Sequence, residues 1–138
     1  MYMKNRNEIR EICIKVLYQV YILEKAKVEY QIDDLIKEQL EIENEFLNDL
    51  VTGFILNQEK INELANRHLI DWEIDRLSKV DKAILSIGIY ELVYTKTPSI
   101  VAINEAIELS HKYSDEKVTK MINACLDKIY HERDTDGK

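Results

Sequence analysis

Arg6, Arg10, Ile14 and Tyr18 follow one another at intervals of four residues, with Lys15 three residues before Tyr18. On a helix this spacing lays them along one slanting ridge. Arginine and lysine neutralise phosphates, and an exposed tyrosine offers a π-face on which an unpaired base can stack. That pairing suits single-stranded RNA, whose splayed bases need stacking platforms. The same spacing also admits a purely structural reading, with Tyr18 in the core and the basic residues paired to Glu8 and Glu11. Glu11 and Lys15 form a favourable i,i+4 pair.

Catalytic signatures are missing. No glycine-rich phosphate loop follows a strand pattern, and no serine sits in a nucleophile elbow. His68, His111 and His131 have no ligand spacing to one another or to a cysteine. Acidic pairs such as Asp33-Asp34 read as solvated helix faces. An enzyme is therefore excluded as the reading, and no cofactor, metal or small-molecule substrate is expected. Cys13 and Cys125 are far apart, each on an apolar helical face, and read as small core residues rather than a disulfide.

The formal net charge of −7 argues against non-specific nucleic-acid binding, but its distribution is uneven. Residues 1–27 hold six Lys/Arg against three acids, whereas the rest of the chain holds 13 basic and 23 acidic residues. From Glu29 to Asp49 there are eight acids and one lysine, Lys37. A basic end on an acidic body can engage a polyanion locally while another face attracts a basic partner. The start of the chain, from Met1 to Arg6, lacks the apolar run of a secretory leader. No segment reaches the ~20 apolar residues that cross a bilayer. A cytoplasmic protein without membrane attachment is expected.

The elements that must carry these residues are helical. With three Gly and one Pro in 138 residues, the chain has little material for hairpins. Asn5 and Asn7 are candidate N-caps, and Glu8 stands at the capping-box distance from Asn5. A first helix runs from there to about Glu24. A short acidic helix follows around Leu35 and Leu40, then one through Phe46–Ile55, and a fourth through Ile61–Leu69 that is either separate from the third or continuous with it. Gly53 is either tolerated there or allows close helix contact. Ile70-Asp71-Trp72 breaks the pattern, and Trp72 is expected in the core at a junction. Ser78 and Asp81 read as a capping box for a helix over Lys79–Tyr94 that is apolar nearly all round, as befits the centre of a bundle. Pro98 ends it. Two more helices follow, around Ala102–Leu109 and Val118–Ile129, with a polar tail from about residue 131 expected to fray. No repeat or linker divides the chain, so residues 1–138 read as one domain.

The residues themselves now carry a resemblance. Arg76-Leu77, Val80-Asp81-Lys82-Ala83-Ile84-Leu85, Tyr90-Glu91-Leu92, Pro98, the run Val101-Ala102-Ile103-Asn104-Glu105-Ala106-Ile107-Glu108-Leu109, and Asn123 with Leu126-Asp127-Lys128-Ile129 resemble the NusB family. Arg10-Glu11 followed by Leu17-Tyr18-Gln19 resembles its first helix. The resemblance spans about residues 4 to 130. It implies an all-α fold, a NusB-like bundle of about seven helices in two packed subdomains. It also implies transcription antitermination over ribosomal RNA operons, through joint binding of boxA-like single-stranded RNA with the ribosomal protein NusE. Other Nus factors and RNA polymerase are the further partners it implies.

Family RNA contacts map here onto Arg6, Arg10, Tyr18, Lys120 and Met121; Lys4 and Lys15 extend the basic group. Asp81 matches the acid that contacts NusE, although its capping role could account for it alone. Asn104 and Glu105 serve equally well to fix the start of their helix. Two departures stand out: Asn7 and Glu8 occupy places where the family is often basic, and Met121-Ile122-Asn123-Ala124 replaces an aromatic residue followed by Asn-Gly. Both imply reduced RNA affinity for the chain alone. An adaptor of the same fold with little RNA affinity is the alternative. NusB-like domains also occur fused to RNA methyltransferases, but this chain has no room for a cofactor-binding fold.

Overall fold

Asn5 opens the first helix with a complete capping box: its side chain accepts from the Glu8 amide, and the Glu8 carboxylate accepts from the Asn5 amide. The computed structural model describes residues 4–135, with side chains described as far as residue 132. Residues 1–3, part of the stretch read for a leader, and 136–138, the end of the polar tail, lie outside the described residues.

The described residues form six α-helices and one 3-10 turn: α1 (Arg6–Lys25), α2 (Ile32–Gln39), α3 (Glu45–His68), the 3-10 turn (Ile74–Arg76), α4 (Lys79–Tyr94), α5 (Ser99–Tyr113) and α6 (Glu116–Thr135). The third and fourth helices expected from the sequence are one continuous α3. Asn57, Gln58, Glu59 and Lys60 interrupt the apolar stripe there without breaking the backbone, since none of them is a helix breaker. Helix α1 ends in a Schellman-type closure, with the Val28 amide reaching the Leu23 carbonyl across Lys27 at φ 58°.

Helix α4 is the hub, packed by α1, α3, α5 and α6. Every residue from Ala83 to Leu92 is buried, so no face of this stretch meets solvent. Two glycines let neighbours close in on it. A methyl group at Gly53 would collide with the Tyr90 ring, so the α3–α4 contact depends on its absence. Gly88 lets Ala106 of α5 and Leu126 of α6 approach α4. The core is one continuous apolar cluster running from Ile9 and Leu17 through Phe54 and Ile84 to Ile122 and Ile129. Cys13 and Cys125 are both free and buried within it, and burial pushes the Cys125 thiol up to about 12.

Three details differ from the sequence expectations. Trp72 lies in the turn after α3 and is 39% exposed, so it is not a core anchor; Ile74, fully buried and tied to α3 by the Asn66 side chain, fills that junction instead. Only half of the Ser78 capping box forms: the Ser78 hydroxyl accepts from the Asp81 amide at 3.1 Å. At the other end, α6 stays helical through residues 131–135, and Arg67 and His68 of α3 both engage Glu132. These partners hold the Glu132 carboxyl below its ordinary value, His68 contributing most.

Candidate nucleic-acid interface

The ridge read along α1 splits once α1 packs. Arg10 is 3% exposed. Its Nε donates to Glu91 Oε2 at 2.6 Å and its Nη2 to Oε1 at 2.8 Å, while Nη1 donates to Asn7 Oδ1 at 2.7 Å. Thr97 adds a hydroxyl donor to the same carboxylate at 3.1 Å. This bidentate pair is buried on both sides and fastens α1 to α4 and to the turn before α5. Arg10 is thereby removed from the phosphate-facing group read from the sequence. An arginine at that register faces inward because α4 presents a buried carboxylate to it, and the periodicity of α1 alone cannot show that. Ile14, the next residue of the ridge, is also buried.

The ends of the ridge remain at the surface. Arg6 is exposed and lies over the Phe46 ring, 4.4 Å from its centroid. With Lys4, Phe46 and Asp49 it lines a hollow of about 550 Å³. Tyr18 is 41% exposed, so its ring is open to a stacking partner. It lines a second, mostly apolar groove of about 260 Å³ with Ile14, Lys15, Gln19, Val80 and Tyr113.

Tyr113 was not singled out from the sequence. Its position opposite Tyr18 depends on α5 ending against α1, about a hundred residues away in the chain, and no local pattern encodes that. The Tyr113 hydroxyl and Lys112 Nζ (2.6 Å) both donate to Glu11 Oε1. Lys112, then Tyr113, hold the Glu11 carboxyl below its ordinary value, and Glu11 in turn raises both partners. Lys15 is exposed beside this cluster.

The remaining expected positions lie on α6 and α4 and line neither of these two hollows. Lys120 is exposed on α6 with Glu116 one turn before it at 3.5 Å, and Met121 is half-buried. Asp81, in the first turn of α4, is 8% exposed. Among the described residues no cluster of His, Cys, Asp or Glu is placed to hold a metal ion. No helix among them is long and apolar enough to cross a membrane.

The model of the NusB family matches residues 7–131. The chain belongs to the NusB family. The transcription antitermination protein NusB of Pediococcus pentosaceus is 41% identical over 128 residues, covering 91% of this chain and 96% of that protein. Among solved structures, NusB of T. maritima superposes with a TM-score of 0.81 at 29% identity, covering 95% of this chain and 94% of that one. The antitermination factor NusB in a crystal structure with NusE and double-stranded RNA superposes with a TM-score of 0.79 at 28% identity, covering 95% of this chain and 99% of that one.

Proposed function

We propose that this protein is a transcription antitermination factor that binds boxA-like single-stranded RNA together with NusE. In this reading it helps assemble an antitermination complex, with other Nus factors, on RNA polymerase transcribing ribosomal RNA operons in the cytoplasm. It acts by position and carries out no covalent chemistry. The observation that carries the reading is the exposed Tyr18 ring beside Lys15, at the basic end of an otherwise acidic chain. Stacking and phosphate neutralisation then come from one face. The relative solved with NusE and RNA supports the choice of partners.

Lys4, Arg6 and Lys15 are the phosphate-facing cations, with Lys120 and Met121 extending the site on α6. Arg10 contributes indirectly by fixing α1. Asp81 offers NusE its small exposed edge, so the basic partner must reach it through a close, shaped contact rather than long-range attraction. The test is competition between boxA-like RNA and a scrambled RNA of equal length for the protein with NusE present. Preferential retention of the boxA-like RNA is expected, and equal competition would remove the antitermination reading.

One observation favours the alternative, an adaptor with little RNA affinity of its own. Arg10 is consumed by Glu91, and Glu11 stands on the same face as Tyr18. Under that reading NusE binds normally, while RNA binding by the isolated protein is too weak to saturate.

A further inference from the structure

We propose that the groove between Tyr18 and Tyr113 receives one splayed nucleobase of the bound single strand, with Tyr113 supplying a second ring and Gln19 contacting the edge of that base. This rests on the RNA-binding reading above and adds the residues that select the base.

The groove is floored by Ile14 and Val80 and flanked by two tyrosines, 41% and 45% exposed. Exposed aromatic side chains on an apolar floor are the surface on which a base stacks. Glu11 orients one of them. Its carboxylate accepts from the Tyr113 hydroxyl, so the phenol is fixed by its polar end, with Lys112 Nζ 5.4 Å from the centroid of its ring on one face. A ring already held in place loses less freedom when a ligand packs on it. Lys112 Nζ, 2.6 Å from the same carboxylate, offsets the one negative charge lining the groove. Without that cation, Glu11 would repel the phosphates that flank a bound base.

Gln19 supplies a polar contact in the wall. Its Oε1 is shielded from solvent and has no hydrogen-bond partner among the described residues. A buried acceptor without a donor is unfavourable, and the terminal amide torsion of glutamine is broad. Rotation about it turns the amide into the groove, where a base edge offers both donors and acceptors. Stacking then supplies affinity for any base, and the amide supplies preference among bases.

The test uses the full chain with saturating NusE and a boxA-like RNA in which an abasic nucleotide is moved through every position. In the unchanged protein, removing the base that occupies the groove weakens binding by roughly five- to 150-fold, the range for one stacked base. Tyr113→Ala weakens binding of the intact RNA at least about fivefold and shrinks the penalty at that abasic position to the part that Tyr18 supplies. Tyr113→Leu, which keeps apolar bulk without an aromatic ring, behaves likewise if the alanine variant folds poorly. Tyr113→Phe retains most of the affinity. Gln19→Ala narrows the differences among the four bases at that position and at no other. Wild-type affinity in Tyr113→Ala and Tyr113→Leu, with the abasic effect intact at every position, would overturn the groove assignment while leaving RNA binding in place. Absence of RNA binding by the unchanged protein with NusE would overturn both.

Discussion

Arg6 and Arg10 stand one helical turn apart on α1 and both lie over the Phe46 ring, at 4.4 and 5.3 Å, yet one sits in solvent and the other in the buried frame. Arg6 lies in water over the face of Phe46. Arg10 is 3% exposed and held by three side-chain hydrogen bonds, two of them to Glu91. Residue type and spacing are alike, so the neighbours decide the role. Where α4 presents a buried carboxylate, a cation becomes part of the frame. Where the helix end meets solvent, a cation remains available to a polyanion. The lesson extends along the helix, because Ile14 turns inward while Tyr18, Lys15 and Glu11 line the groove shared with Tyr113.

The largest effect that separates the two regions is on stability. Arg10→Ala leaves the Glu91 carboxylate buried without its cation, a loss of about 3–5 kcal/mol, measured by urea unfolding. Arg6→Ala gives up an exposed cation–π contact worth about 0.5–1 kcal/mol. Similar unfolding midpoints for the two variants would erase the distinction between frame and surface. Arg10→Lys should recover only part of the loss, since an ammonium group cannot make the bidentate contact.

Next in size is the effect of Tyr18→Ala on RNA. Loss of a stacking platform costs about 1–3 kcal/mol of affinity, and an exposed ring can be removed with little change in stability. A core tyrosine would instead cost about 3–5 kcal/mol of folding free energy. Thermal melts run beside RNA titrations separate these outcomes. A large melting shift with unchanged RNA affinity would place Tyr18 with the frame.

The smallest effect is on salt dependence. Arg6→Ala should reduce the magnitude of the log–log salt slope for RNA binding by roughly 0.7, the value for one neutralised phosphate on a single strand. An unchanged slope would mean that the Phe46 contact, rather than a phosphate, is what Arg6 provides.

Much of the frame was legible in the sequence because its determinants are local. Asn5 and Glu8 are three residues apart and form the expected capping box. The all-round apolar character of Lys79–Tyr94 placed that helix at the centre, where α4 lies. Gly53 offered two readings, and the collision a side chain would make with Tyr90 selects close helix contact. The misreadings share a cause in tertiary structure. Glu91 lies 81 residues from Arg10 and Tyr113 lies 102 from Glu11, so neither pairing leaves a mark in helical periodicity. Trp72, expected in the core at the junction, sits instead at the surface of a turn of irregular backbone, with Asp71 at φ 58°, while Ile74 takes the interior place.

The split of α1 also explains why the protein should depend on its partner. With Arg10 committed to Glu91, the basic group facing RNA is smaller than the sequence suggested, and the body beyond residue 27 is strongly acidic. A basic NusE docked near Asp81 would cover acidic surface and add cations to a shared site. Asp81→Asn keeps the shape of the side chain and should weaken the NusE complex, and RNA binding through it, without altering RNA binding by the isolated protein. The most direct measurement is therefore the affinity for boxA-like RNA at physiological salt, with and without saturating NusE. The account predicts at least about tenfold tighter binding with NusE, or 1.4 kcal/mol, and linkage requires RNA to tighten NusE binding by the same factor. Equal RNA affinity in the two conditions would contradict it.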